Sequence, residues 1–465
     1  MNSNLELPVD SPLLAKRERP SLSQNSFLRY FSFAFLYIAQ GIPEGMTYFA
    51  IPAWMAMNGK TPAEIGAFIG VVGIPWSFKI VVAPLMDRFS FLPMGRRRPW
   101  VLFGQLGLIA AFITLAFVPD PLNNLALFMA AGFCVSFFGA FQDVATDGMA
   151  IDVIPVKEQA RANGLMWGAK TMGIAASLSI GTWIINRYGF QQAVLSLSLA
   201  VCLIMFVPLL LRERPGEKLL PWTKGIASPE VVKMHLDSFA KIFKSLFKVF
   251  VLPTSLWMAL AFFLFNVCIG LTDALLPVFT IQEINWTNSQ YSNLFSSVSL
   301  ASGFLGMVAG GALADLFGKK RMIIFYLIAF FAVFVVMAAM QSYWQSETFV
   351  TGFMGAYYVL YTFITIASFA IGMELCWFRV SATQFTLYMA VANMGRAFGA
   401  YLLGPLKQNF PWEGVILAAG LFALGALFFV MILRIKKHVI KLGCIEADEL
   451  VKDDFLSRQQ LNAVK

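Results

Sequence analysis

The 465-residue chain is 58% hydrophobic and only 13% charged, with a mean hydropathy of +0.70. Soluble domains carry roughly 25% charged residues, so the composition excludes a soluble globular protein and points to a polytopic membrane protein. The five cysteines (Cys134, Cys202, Cys268, Cys376 and Cys444) show no metal-ligand spacing, and both histidines, His235 and His438, lie in basic segments outside the apolar runs. No metal, cofactor or histidine-based catalysis is expected. No G-x-x-x-x-G-K-[ST] occurs, which argues against ATP drive.

Residues 1–27 are polar and read as a cytoplasmic tail, not as a signal peptide. A spanning helix needs about 20 apolar residues. Such runs follow at 28–54, 63–86, 99–118, 124–151, 160–185, 190–211, 252–281, 289–314, 321–341, 348–376, 381–405 and 412–434, twelve expected spans. Lysine and arginine orient them. With the N-terminus inside, 29 of the 35 fall on the cytoplasmic side, Arg29 counted with the tail, and only Lys60, Arg187 and Lys407 fall outside. Both termini are therefore expected in the cytoplasm. The net charge of +9 belongs to the inner face of a membrane protein and calls for no nucleic acid.

Residues 212–251 separate a first set of six spans (28–211) from a second (252–434), and 435–465 form a C-terminal tail. In the linker, Lys233, Asp237, Lys241, Lys244 and Lys248 recur at helical spacing between Leu236, Phe239, Ile242, Phe243, Leu246 and Phe247. This is a cationic amphipathic helix suited to an anionic leaflet, with a helix for a partner protein as the competing reading.

The two sets repeat. Gly41-Ile-Pro-Glu44 has its counterpart in Gly270-Leu-Thr-Asp273. Pro84-Leu-Met-Asp87-Arg-Phe has its counterpart in Ala312-Leu-Ala-Asp315-Leu-Phe, and Met172-Gly173 in Met394-Gly395. Three matches in one order at nearly one spacing point to duplicated six-helix halves, related by an axis along the membrane normal.

The sharpest motif is Gly311-Ala-Leu-Ala-Asp315-Leu-Phe-Gly318-Lys319-Lys320-Arg321. A first copy, Asp87-Arg88-Phe, resumes after an insertion at Gly95-Arg96-Arg97-Arg98. An Asp here can cap a helix N-terminus, the glycine permits a tight turn, and the cations hold the loop at the inner surface. Asp87, Arg88, Gly95, Arg96, Asp315, Gly318, Lys319 and Arg321 thus read as a conformational latch. The motif resembles the loop signature of the major facilitator superfamily. Phe78-Lys79 through Pro84, Asp87 and Arg96-Arg97-Arg98-Pro-Trp100, with Gln142-Asp143, Asp147, Asp152, Pro155 and Arg161, is similar to the AmpG-type muropeptide permeases and the acetyl-CoA transporter family. That resemblance covers most of residues 35–180. It implies proton-coupled import of anhydro-muropeptides, and siderophore importers share the same first-half pattern.

Asp143 and Asp147 stand at i, i+4 on one face of the fourth span. An Asp at mid-helix costs roughly 2.5–3.5 kcal/mol in hydrocarbon, so the pair must look into protein or water. At 1.5 Å rise per residue, Asp143, Lys170, Asp147 and Lys79 lie roughly 18, 15, 12 and 12 Å from the inner ends of their spans. Shared depth predicts one cluster, with Asp143 the first candidate for a coupling proton, or else a residue that merely holds Lys170 in place. A structural ion pair is the competing reading. Glu44 sits where Gly41 and Pro43 are expected to kink or unwind the first span. Glu44 and Asp273 are expected nearer the outer side, where Arg396 can pair with either or hold an anionic substrate group. Trp54, Trp286 and Trp344 read as membrane-interface residues, and Trp76, Trp167, Tyr357, Tyr358 and Tyr361 as platforms for a ring.

These readings predict an all-α membrane protein with the major facilitator fold. It is expected to be a monomeric secondary transporter of the inner membrane, carrying protons and a muropeptide-like or other medium-sized polar solute by alternating access. Acetyl-CoA or a siderophore as the solute, or a non-transporting assembly factor on the same fold, are the alternatives.

Overall fold

The computed structural model describes residues 21–228, 239–377 and 380–448. The linker positions Lys233, Leu236 and Asp237 therefore lie outside the described residues. Every regular element among the described residues is helical. In chain order the helices are α1 (Ser26–Gly45), α2 (Ile51–Met57), α3 (Pro62–Gly73), α4 (Lys79–Arg88), α5 (Arg98–Ala116), α6 (Leu125–Val153), α7 (Val156–Tyr188) and α8 (Phe190–Leu210). They continue with α9 (Phe239–Phe250), α10 (Pro253–Val278), α11 (Asn288–Leu305), α12 (Gly311–Phe317), α13 (Lys319–Ala339), α14 (Glu347–Glu374), α15 (Ser381–Tyr401), α16 (Leu403–Asn409) and α17 (Trp412–Ile432). Residues 435–448 are also helical.

Among the described residues, nine segments are long and apolar enough to cross a membrane. The segments built on α1, α7 and α15 are not among them. They are the more polar long helices, and they carry Glu44, Lys170 and Arg396.

The first span does not unwind at Pro43. α1 runs through it and widens into a π turn at Met46–Ala50, where Thr47 Oγ1 donates to the Pro43 carbonyl at 2.8 Å. A π turn recurs at Phe279–Glu283, after α10. Capping recurs too. Thr61 and Glu64 form a capping box at the start of α3, and Thr287 and Gln290 form one at the start of α11. Each satisfies two backbone donors at a helix start. Between α3 and α4 the chain tightens to a 3₁₀ turn, Ile74–Phe78, which contains Pro75.

α1 packs on α7, and α10 on α15. Both pairs bring backbones together through glycine. A Cβ on Gly41 would strike the Lys170 carbonyl, and one on Gly270 the Arg396 carbonyl. The most extensive contacts between the N-terminal and C-terminal helices are α7 with α11 and α3 with α15. One end of the bundle is tied shut. Gln282 Nε2 donates to the carbonyls of Ala56 (2.9 Å) and Lys60 (2.8 Å), Asn186 Nδ2 to Asn288 Oδ1 (2.9 Å), and the Thr182 and Ser292 hydroxyls pair at 2.9 Å. A Cβ on Gly303 would lie 3.6 Å from the Thr171 side chain, whereas Gly164 and Gly168 have open space where a Cβ would sit.

Two aromatic expectations change. Trp344 is buried, with its indole N–H on the Met337 carbonyl at 2.8 Å, so it is a core residue and no membrane-interface anchor. Tyr357 and Tyr358 are buried among Phe330, Phe334, Phe353 and Phe295, and they offer no open platform for a ring.

Candidate functional site: a charge network between the helices

The sequence places Tyr37, Gln40, Glu44 and Tyr48 at helical steps along the first span. All but Glu44 are buried, and Glu44 is half-buried. Around them stand Lys79 at the start of α4, Asp143 and Asp147 on α6, Lys170 on α7, Asp273 on α10 and Arg396 on α15.

Glu44 is the centre. Its Oε2 lies 3.1 Å from Lys170 Nζ and its Oε1 3.2 Å from Arg396 Nη1. Arg396 Nε donates to Asp273 Oδ2 at 2.8 Å, so one guanidinium holds both carboxylates. The expectation that Arg396 takes one or the other is thus too narrow. Nor does Lys170 partner Asp143: its ion-pair partner is Glu44, and Asp143 is in contact with Lys79. Depth fixes position along the membrane normal, whereas the choice among neighbours at one depth depends on helix arrangement. Asp147 accepts from the Tyr37 hydroxyl. Among the described residues no cation comes within ion-pair distance of it. The groups are joined by rings. Lys79 Nζ and Lys170 Nζ lie 4.8 and 5.2 Å from the Trp76 ring, Lys170 also lies 5.5 Å from Trp167, and Arg396 Cζ lies 4.3 Å from Tyr48. Trp167 is 55% exposed. Cation–π contacts of this kind stabilise a cation away from water.

A buried ion pair is weak evidence for stability, because desolvation offsets the attraction. Four carboxylates and three cations among helices therefore point to a role in binding or charge movement. The described residues contain no group of three His, Cys, Asp or Glu that could hold a metal.

The residues expected to form a latch are described in part. The side chains of Asp87 and Asp315 lie outside the described residues. Gly95 (φ +99°) and Gly318 (φ +90°) both adopt the left-handed region the turns require. Lys319 pairs with Glu374 at 3.1 Å, and Arg88 and Arg321 are exposed. The acid at the start of α5 is Glu213, which the sequence reading missed. Its carboxylate accepts the backbone N–H groups of Arg96 (3.0 Å), Arg97 (2.9 Å) and Arg98. A Cβ on Gly95 would sit 2.6 Å from the Glu213 carboxyl carbon. Asp152 lies 3.4 Å from Arg96 and 3.5 Å from Arg97. The available signal was Arg212-Glu213-Arg214 straight after a span, an acid flanked by cations.

Glu217 lies beside this clamp. Burial, with the Glu213 charge adding to it, pushes its carboxyl up to about 8. An unfolded Glu titrates near ~4.3. The stability Glu217 contributes is therefore complete below that value and lost as pH rises through about 8. The melting temperature of Glu217→Gln is expected to exceed that of the wild type by a gap that widens from mildly acidic pH to about 8 and then levels off. A gap independent of pH would show that Glu217 is ionised throughout.

The helical bundle and its internal charges define a membrane transporter class, and the comparisons name it. The family model of the Major Facilitator Superfamily matches residues 33–386, and the chain belongs to that superfamily. Its relatives include the Escherichia coli K12 protein named anhydromuropeptide permease, 24% identical over 427 residues, covering 90% of this chain and 81% of the relative. The Rickettsia conorii protein designated AmpG 4 is 23% identical, with 88% and 98% covered. The crystal structure of the nucleoside transporter NupG shares the fold with a TM-score of 0.64 at 14% identity, over 87% of this chain and 98% of that one. The protein is an integral membrane transporter of this superfamily, resembling AmpG.

Proposed function

We propose that the chain is a proton-coupled importer of the bacterial inner membrane that carries a muropeptide-like or other medium-sized polar solute by alternating access. It has twelve spans in two halves, 28–211 and 252–434, joined by the linker 212–251, with both tails, 1–27 and 435–465, in the cytoplasm. The recurring π turns and capping boxes support duplicated halves. The halves are tied together at the end carrying Lys60, and Gly164 and Gly168 have open space beside them on the basic-loop side of α7, which supports an inward-open state.

The observation that carries the reading is Glu44 bound at once by Lys170 of the first half and Arg396 of the second. A link of this kind lies where alternating access requires bonds to break and reform. Trp167 beside Lys170 supplies an open ring and a cation, the pair a sugar with an acidic group would use. Asp143 and Asp147 are the proton-handling pair. Gly95, Arg96 and Glu213, with Asp87, Arg88, Asp315, Gly318, Lys319 and Arg321, form the latch on the cytoplasmic side. The test is uptake of labelled anhydro-muropeptide into proteoliposomes with and without an inward proton gradient. Gradient-dependent accumulation is expected. Uptake that ignores the gradient removes the coupling, and failure to take up muropeptides, acyl-CoA or siderophores alike favours a non-transporting scaffold.

A further inference from the structure

The last helical stretch, 435–448, starts three residues after α17 ends, and α9 ends three residues before α10 begins. Both lie where membrane-spanning helices reach the surface. They are bound into one body. Val249 of α9, Leu252, Trp377 and Val380 from the connection between α14 and α15, and Leu442 and Ile445 of the last helix share one buried cluster. Trp377 Nε1 donates to Glu446 Oε2 at 2.8 Å, and His438 Nε2 lies 2.9 Å from the Leu375 carbonyl. The buried stripe of the last helix is His438, Leu442 and Ile445, and that of α9 is Leu246 and Val249.

The other faces are unlike those of a soluble protein. Lys244 is exposed on α9, and Lys436, Lys437 and Lys441 are exposed on the last helix. Set among them are Phe247, 72% exposed, and Ile440, 68% exposed. Residues 239–251 and 434–446 together hold seven lysines and arginines and one glutamate, and that glutamate is the one bonded to Trp377. Lysines with large apolar side chains between them, at the level where spans end, match the boundary between headgroups and acyl chains.

We infer that α9, the connection carrying Trp377 and the last helix form a single cationic clasp that binds anionic phospholipid headgroups. The linker helix does not act as an independent amphipathic segment. Val249 on its inner stripe packs into one cluster with that connection and the last helix, so lipid contact at either helix orders the other. The chemistry is phosphate oxygens on lysine ammonium groups, with Phe247 and Ile440 inserted beside them.

The test uses the full chain in vesicles of phosphatidylcholine, with or without phosphatidylglycerol, read by hydrogen exchange of residues 239–250 and 435–448. Protection is expected to rise in the anionic vesicles, and that increase is expected to vanish at roughly 1 M salt, where the Debye length falls to about 3 Å. Lys244→Gln on one helix, or Lys436→Gln with Lys437→Gln on the other, is expected to lower protection of both helices, by about fivefold per lysine. Phe247→Ser, which removes no charge, is expected to lower it too. Equal protection in both vesicles overturns the inference. So does a lysine effect confined to the substituted helix, or protection that appears only when an acidic protein is added. These exchange readouts do not depend on which solute is carried, so their failure leaves the transport reading untouched.

Discussion

Asp147→Asn is expected to abolish proton-driven accumulation while leaving a folded protein that still exchanges solute at equal pH. The network holds Glu44, Asp143, Asp147 and Asp273 against Lys79, Lys170 and Arg396. Glu44, Asp143 and Asp273 each touch a cation, and Asp147 has the Tyr37 hydroxyl. The carboxylate in excess is the one a proton would neutralise. Asparagine keeps an acceptor for Tyr37 and removes the titratable site, so exchange, which moves no net proton, should survive. Asp143→Asn should behave differently. It strands Lys79 among helices, and removing one partner of a buried pair costs about 3–5 kcal/mol. Its expected phenotype is loss of folded protein, relieved by Lys79→Met. Full accumulation by Asp147→Asn would exclude it as the proton carrier, and accumulation lost only in Asp143→Asn with normal folding would return the role to Asp143.

Arg396→Leu is expected to lower stability about as much as Asp143→Asn. It leaves Asp273 with no cation among the described residues, while Glu44 keeps Lys170. The expected cost is again about 3–5 kcal/mol, read as a fall in melting temperature in detergent. Adding Asp273→Asn should restore much of it. Adding Glu44→Gln should not, because that change frees Lys170. Rescue of equal size by the two second changes would mean that Arg396 acts as a diffuse positive charge and not as a ligand of Asp273.

Much of the architecture was legible because the bilayer demands it: apolar runs mark most spans, and the acids in the fourth span stand out against hydrocarbon. What escaped depends on rotation about each helix axis. Asp143 and Lys170 share a depth, yet Lys79 takes Asp143 and Lys170 turns to Glu44. Tyr37 carried no signal, since a tyrosine on an apolar helix is unremarked until an acid is placed opposite. Trp344 sits at a span end and so reads as an interface residue, but Phe279 and Trp412 are joined to it through one aromatic cluster that buries it. Glu213 lies more than a hundred positions from the arginines it serves, beyond any local pattern.

The glycine contacts between α1 and α7, and between α10 and α15, have a mechanical meaning. Backbones that close together cannot slide or roll without collision, so each pair moves as one piece. Glu44 and Lys170 ride on the first piece, Asp273 and Arg396 on the second. If the proposed alternating access rocks the pieces apart, both of those internal ion pairs would travel intact, and the contact to open among these four would be Glu44 with Arg396. The second piece is left neutral. The first, taken with Lys79, Asp143 and Asp147 beside it, carries a single surplus negative charge by formal count. A hinge that separates one bond and strands no new charge can swing at little electrostatic cost, and a proton on the surplus carboxylate would let the first piece swing neutral as well.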